Sequence, residues 1–317
     1  MTLYVVTGAG PVGWTVAEKL AERGDSVRIL TRSGSGPDHP LIEKRRVDAS
    51  DTAALAAAVA GAEAVFHCIH GSAYTEAAWQ RELPAAEAAV LDAVGRHGAV
   101  VVFPESLYSY SRPEQVMTED SERAADGGKR GVRTALLAAR AASTTDTVSV
   151  VAADFFGPRV RMSHAGERMV PAVLAGRRIQ LIGDPDLPHS FTYVPDLAAA
   201  MIAAADLPRH RDRVLHAPTL PAFTQRTLAG AFAEAAGVAA PRLTGTPGWL
   251  VGALGLLLPS MREIGEMSYQ FDRPFVLDSS ASEVVLALAP TPLADAVAET
   301  LRWWRGELGA PASPASA

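Results

Sequence analysis

A short apolar run, Leu3-Tyr4-Val5-Val6, passes directly into Thr7-Gly8-Ala9-Gly10-Pro11-Val12-Gly13. Beyond it Val12, Val16 and Leu20 recur every fourth residue, which predicts a helix with one apolar stripe, closed by Gly24. A strand, a G-x-G-x-x-G turn and a helix in that order make a cradle for the pyrophosphate of a dinucleotide. Gly8 lets the chain turn off the strand, Gly10 lets the backbone approach the phosphates, and Gly13 lets the helix pack close to the sheet. The free N–H groups and positive end of the helix do the binding. Gly8, Gly10, Pro11, Val12 and Gly13 are therefore the expected phosphate-binding residues.

The second strand, 26–30, runs into Thr31-Arg32-Ser33. A dinucleotide site for NAD usually carries an acidic residue here to accept hydrogen bonds from the ribose 2′-OH. This chain has none. Arg32 is placed instead to pair with a 2′-phosphate, and Ser33 to add a hydrogen bond, so NADP (NADPH) is expected over NAD. Asp48, followed by Ala49, closes the third strand and is placed to reach the adenine edge.

Nearly half of the 317 residues are apolar, enough for a large core and against general disorder. The net charge of −6 and the lack of a basic run argue against nucleic acid as a partner. Cys68 is the only cysteine, so no internal disulfide forms, as expected in a reducing cytoplasm. The N-terminus is itself the first strand, so no signal peptide is expected. The most apolar run, 249–258, is too short to span a bilayer, reads as a buried helix, and gives no reason to expect a membrane partner. The Ala-, Ser- and Pro-rich tail, 310–317, is expected to be unstructured.

Strands are expected at 3–6, 26–30, 44–47, 64–68, 99–103 and 148–152, with helices at 52–59, 76–96 and 131–141. Such alternation indicates an α/β fold: a doubly wound parallel sheet of Rossmann type, covered on both faces. Residues 1–158 make the dinucleotide-binding domain, with 189–218 returning to it through a helix at 196–205 and a strand at 214–216. Residues 159–188 and 219–309 make a smaller, mostly helical substrate lobe. It includes helices at 166–175 and 293–307 and a strand at 179–182. Residues 114–126 carry mixed charge without apolar periodicity and read as a solvated loop or lid.

These segments together resemble the short-chain dehydrogenase/reductase superfamily, in its extended and atypical NAD(P)-dependent epimerase/dehydratase branch. The resemblance rests on the glycine motif, on Val47-Asp48, and on Val101-Val102-Phe103-Pro104-Glu105-Ser106-Leu107-Tyr108-Ser109-Tyr110. It continues through Ala153-Asp154-Phe155-Phe156-Gly157-Pro158 and His189-Ser190-Phe191-Thr192-Tyr193-Val194-Pro195-Asp196. It implies a Ser, Tyr and Lys at the reacting centre, and a dimer built on helix 76–96. Ser106 matches the Ser. Where Tyr-x-x-x-Lys is due, the chain reads Lys129-Arg130-Gly131-Val132-Arg133, and no Tyr occurs between Tyr110 and Tyr193.

Three readings follow from that departure. The first is an NADP-dependent carbonyl or enone reductase in which Ser106 polarises the carbonyl and Tyr108 donates the proton, with Lys129 as the alternative donor and Tyr110 the other phenol nearby. The second is non-redox chemistry by an isomerase, epimerase, dehydratase or cyclase. The third is an NADP(H) sensor without catalysis. His67-Cys68-Ile69-His70 lacks the further ligands a metal would need, so no metal is expected, and His70 is assigned to the cofactor cleft.

Overall fold

The computed structural model describes residues 1–208, 212–255 and 258–309. The expected tail at 310–317 lies outside the described residues. The N-terminal half alternates as the periodicity predicts. It runs β1 (Leu3–Thr7), α1 (Pro11–Glu22), β2 (Ser26–Thr31), β3 (Ile42–Arg46), α2 (Thr52–Val59), β4 (Ala64–His67) and α3 (Glu76–Gly95). It continues with β5 (Val100–Ser106), α4 (Gly128–Ala142), β6 (Thr147–Ala152), β7 (Asp154–Phe156), α5 (Val170–Leu174), β8 (Ile179–Ile182), β9 (Phe191–Tyr193), α6 (Val194–Ala205) and β10 (Arg213–His216). The rest is α7 (Gln225–Ala236), β11 (Leu243–Thr246), α8 (Gly248–Gly255), α9 (Pro259–Gly265), α10 (Ser280–Leu286) and α11 (Leu293–Gly309).

Seven strands form one sheet in the order β10-β6-β5-β4-β1-β2-β3, and the pairs within it are parallel. The winding reverses between β1 and β4, and in such sheets the ligand crevice opens at the carboxyl ends of the strands at this point. Every residue of β4 and of β6 is buried, the pattern of strands covered on both faces. Alternation along each strand sorts the core into two layers. Val6, Phe66 and Val102 face α1 and α6, packing on Val16, Leu20 and Met201. Val5, Val65 and Val101 face α2 and α3, packing on Leu55, Val90 and Val94.

The lobe is held by a separate cluster in which Met169, Val173, Phe191, Phe232, Leu301 and Trp304 join α5, α7 and α11. The parallel pairs β8–β11 and β7–β9 stitch it to the chain leaving the sheet. Among the described residues no helix is long and apolar enough to cross a membrane.

Several local expectations are corrected. The third strand lies at Ile42–Arg46, not 44–47, and pairs with β2 over its whole length. Of 166–175 only Val170–Leu174 is helical, because Pro171 suits a first helical turn and turns occupy the residues before it. The apolar run at 249–258 is not a buried helix: α8 leaves Trp249 74% exposed and Leu254 40% exposed. Apolarity alone cannot say whether a partner surface exists, and among the described residues of the run only Val251 of the large side chains is buried. Residues 114–126 form the largely solvated loop expected, but it is pinned and is no free lid. Met117 is buried and bridges Leu277, while the Glu119 carboxylate accepts the Ser282 N–H at 3.0 Å.

Candidate dinucleotide and substrate cleft

The turn between β1 and α1 is built as its glycines require. Gly8 has φ of +89°, and a Cβ there would lie 2.9 Å from the Cys68 carbonyl oxygen. A Cβ on Gly13 would lie 2.1 Å from the Gly8 carbonyl oxygen, so only glycine lets α1 approach the turn this closely. A Cβ on Gly10 would meet nothing within 4 Å. That position faces open space, where a ligand's phosphates can come against the backbone. Gly10 caps α1 without a side-chain bond, Pro11 follows, and the first intrahelical bond runs from Trp14 N to Gly10 O at 2.9 Å. The Val12 and Gly13 N–H groups therefore precede the helix ladder and have no partner within it. This cradle fits a pyrophosphate. Beneath it the Thr7 hydroxyl and His67 Nδ1 lie 2.9 Å apart, and burial pushes the His67 imidazole down to about 3.

Toward the adenosine end, Arg32 and Ser33 lie exposed just beyond β2. The Arg32 carbonyl accepts from Arg46 Nε at 2.8 Å, which fixes the backbone, while its guanidinium makes no ion pair among the described residues. Ser33 Oγ lies 2.8 Å from Ser35 Oγ. Asp48 turns back on its own loop and accepts from Ser50 N at 2.9 Å and Ser50 Oγ at 2.8 Å. Those bonds, with the nearby Arg32 charge, hold its carboxyl below the usual range. Ala49 beside it is half-buried.

At the end of β5 the side chains alternate. Ser106 and Tyr108 are half-buried, while Glu105, Leu107 and Ser109 are buried. Glu105 is the anchor. One oxygen accepts the Ser106 N–H at 2.7 Å and the other accepts Arg140 NH1 at 2.8 Å. Arg140 in turn grips Glu87 at 2.6 and 2.7 Å. Burial alone would raise the Glu105 carboxyl, but Arg133 and Arg140 overcome it and hold it low. Arg133 sits 3.5 Å from Glu105 and 4.8 Å from the Trp79 ring, and its buried Nε has no partner.

The Tyr108 hydroxyl lies 2.8 Å from that of Tyr74, and its ring stacks on Trp79 with 11° between the planes. Burial first, then Tyr74 and Asp154 beside it, raise the Tyr108 phenol well above its ordinary value. It therefore keeps its proton at neutral pH. Lys129 is not the spare donor expected of it. Its side chain is fully buried, and Nζ reaches Glu263 Oε2 at 2.6 Å and also Glu266, whose carboxylate takes the Lys129 N–H at 2.7 Å. Gly128 makes room for this, since a Cβ there would strike the Glu266 carboxylate. Lys129 ties α4 to α9. Tyr110 is buried away from the cleft and bonds His216 Nε2. His70 sits exposed after β4 with its ring edge-on to Trp79 at 4.9 Å.

The facing wall was largely missed by sequence reasoning. The Asp154 carboxylate, just past β6, bonds His189 Nε2 at 2.9 Å, and His189 Nδ1 lies 3.2 Å from the Gln270 carbonyl. Burial would raise the Asp154 carboxyl, yet the His189 bond and charge keep it low. His164, packed on Phe271 at 4.2 Å, has a buried Nδ1 without a partner, and burial takes it down to about 4. Tyr269 likewise has a buried, unpartnered hydroxyl. Asp154 carried a signal through its place after a buried strand, and His189 through the 189–196 segment that it opens, though neither had been assigned a role. The others come from distant loops. Among the described residues no three His, Cys, Asp or Glu are grouped to hold a metal ion.

Residues 4–215 match the NAD dependent epimerase/dehydratase family. The chain belongs to that family. Solved structures similar to this chain cover almost all of it. WbmH of Bordetella bronchiseptica, in complex with NAD+, is 21% identical over 96% of this chain and 98% of its own, with a TM-score of 0.75. The UDP-glucose 4-epimerase of Thermotoga maritima, with UDP-glucose, is 18% identical over 97% and 100%, with a TM-score of 0.74. DesIV of Streptomyces venezuelae, a dTDP-glucose 4,6-dehydratase with NAD and DAU bound, is 18% identical over 98% of both chains, with a TM-score of 0.75. No protein of curated function matches the sequence. The family is one of enzymes. Its name fits the epimerase/dehydratase alternative better than the carbonyl-reductase reading placed first above.

Proposed function

We propose that this epimerase/dehydratase-family protein binds a nicotinamide dinucleotide, NADP(H) in preference to NAD(H), and uses it without net consumption to epimerise or dehydrate a hydroxylated small molecule. The observation that carries the reading is the Tyr74–Tyr108 hydroxyl pair at the end of β5, in a chain whose strand-to-helix turn leaves Gly10 open. Gly8 to Gly13 would hold the pyrophosphate, and Arg32, which makes no ion pair among the described residues, would pair with a 2′-phosphate. The bound dinucleotide supplies reversible hydride acceptance at a carbon of the substrate.

The chain's own residues manage the substrate oxygen and its proton. Ser106, fixed by Glu105, positions the oxygen. Tyr108 exchanges a proton with it, and Tyr74 relays that proton toward solvent. Asp154 and His189 line the other side. Lys129 and Arg133 position these groups and do not transfer protons. Carbonyl or enone reduction is the second reading: Tyr108 beside Ser106 stays protonated and so carries the proton such a reduction consumes, although burial makes it a weak acid. Sugar nucleotides are the first substrates to screen, because the Thermotoga epimerase was solved with UDP-glucose.

Two measurements test the proposal. Calorimetry should show NADPH binding tighter than NADH, with the difference abolished in Arg32→Ala. Equal affinity in the parent protein would withdraw the NADP preference, and no binding of either would sink the whole reading. A sugar-nucleotide panel should then give product without lasting NADPH absorbance change, and Tyr108→Phe should lower turnover about 100-fold or more.

A further inference from the structure

Most of the described part of the apolar run at 249–258 is surface. On α8 and at the corner that follows it, Trp249, Leu250, Leu254 and Leu258 are all exposed. Leu250, Leu254 and Leu258 recur every fourth residue, and the Leu258 N–H donates to the Leu254 carbonyl at 2.9 Å. The three therefore lie along one side of a helical turn, with Trp249 beside them. We propose that this side of the α8–α9 hairpin is a docking surface for an anionic lipid bilayer, on which it lies flat at the level of the headgroups.

The hairpin is built to turn these side chains out. α8 and α9 meet through glycine: a Cβ on Gly255 would lie 2.8 Å from the Arg262 Cα, and one on Gly265 would lie 3.3 Å from the Gly252 Cα. Backbones this close leave no room for a large side chain between them. Val251 is the one that turns inward, packing on Ile182 and Phe271. Trp249 and the three leucines stay outside, where a contiguous apolar strip marks a surface for a partner.

The charges around the strip select that partner. Residues 243–261 hold no charged side chain. The α9 acid Glu263, and Glu266 just beyond it, turn inward to Lys129, and Glu263 also accepts the Glu76 N–H at 3.2 Å. Arg262 lies against α8 at Gly255, is exposed, and makes no ion pair among the described residues. Asp272 accepts the Gly248 N–H at 3.1 Å, at the other end of α8 from Arg262. The outer side thus offers apolar groups and a guanidinium, a local reversal of sign in a chain of net charge −6. Such a face suits anionic lipid: leucines reach the acyl boundary, Trp sits at headgroup level, and a guanidinium meets the phosphates. A second copy suits it less. Trp249 and three leucines are few against the ~20–30 residues a side of a stable protein interface, and a two-fold contact here would bring the two Arg262 groups together. α9 also links the strip to the cleft, because Lys129, held by Glu263, lies 5.1 Å from the centre of the Tyr74 ring. Docking itself does not depend on the reaction carried out in that cleft.

Co-sedimentation of the full chain with lipid vesicles tests the proposal. The protein should bind vesicles of equal parts phosphatidylcholine and phosphatidylglycerol, and should bind pure phosphatidylcholine more weakly. Trp249→Ser combined with Leu254→Ser should weaken binding to the mixed vesicles about tenfold or more, and Arg262→Glu about fivefold or more. These side chains are exposed, so thermal unfolding midpoints should match the parent. Absence of binding at millimolar phospholipid, or parent-like binding by the double variant, overturns the docking surface. So does analytical ultracentrifugation in which the parent is dimeric and the double variant monomeric, since a second copy then covers the strip. Should the double variant unfold, Arg262→Glu still decides, because it leaves the strip intact: parent-like binding to the mixed vesicles overturns the role of anionic lipid.

Discussion

The two ends of the cleft are built from different materials. At the phosphate end the walls are backbone: Gly8 and Gly13 are packed against carbonyl oxygens, and the N–H groups opening α1 face outward. At the β5 end the walls are side chains held by charge, with Glu105 shared between Ser106, Arg140 and Arg133, and Lys129 locked between Glu263 and Glu266. Backbone walls give one fixed shape for a universal group, the pyrophosphate. Side-chain walls can be exchanged without moving the sheet, and this is where the chain reads Lys129-Arg130-Gly131-Val132-Arg133 at the place the resemblance expects Tyr-x-x-x-Lys. One fold can thus keep its nucleotide while its chemistry changes.

The largest effect expected from breaking this contrast is at Arg140. Arg140→Met strands Glu87 and Glu105 as buried charges and should cost about 4 kcal/mol in denaturant unfolding. It should also loosen Ser106 and leave any surviving folded protein with normal NADPH affinity. Loss of nucleotide binding by that folded fraction would show that the two ends are not independent. Gly13→Ala is the reciprocal change. It forces a Cβ onto the Gly8 carbonyl and should cost about 3 kcal/mol, with NADPH binding weakened by more than tenfold. Retained binding would mean that the turn can shift without consequence.

Acid probes the floor between the two ends. His67 has its pKa lowered from 6.5 to about 3 in the folded protein. Between those values the unfolded chain binds more protons than the native one, so stability rises with pH across the window. It is fully present above 6.5 and lost as pH falls. Taking the protein from pH 7 to pH 5 should therefore remove about 2 kcal/mol through His67. A His67→Gln variant, compared by urea midpoints at the two pH values, should lose less than the parent over the same interval. An identical loss would relocate the acid sensitivity. The smallest effect is expected at Tyr110, whose hydroxyl bonds the buried His216 and whose ring lies against Arg123. Tyr110→Phe should cost about 1 kcal/mol and leave both nucleotide binding and turnover unchanged. A fall in turnover would return it to the reacting group, beside Tyr108.

Much of the nucleotide half was legible because its rules are local. Apolar residues two apart make strands and those four apart make helices, and Gly10 at a strand-to-helix turn has few other uses. The departure at Lys129 and Arg133 was visible too, since it needed only a position and a residue type. What filled that position was not. Lys129 looked like a spare proton donor until α9 was seen to bring Glu263 and Glu266 against it from over a hundred residues away. The same holds for His189 on Asp154 and for Tyr74 on Tyr108. Each contact joins segments whose separation leaves no periodic mark. The apolar run at Trp249 failed for a related reason: hydropathy records what a side chain prefers, not whether a neighbour comes to cover it.

The sequence by itself determined the doubly wound sheet and the strand-to-helix glycine turn with its open Gly10, and it placed Lys129 and Arg133 where the resemblance expects Tyr and Lys, because these depend on neighbours a few residues apart. Only the tertiary structure decided which charges are spent and which are free. It matched Lys129 and Arg140 with acids and set Tyr74 against Tyr108. An ionisable side chain has no fixed role until burial and its partners set the cost of its charge.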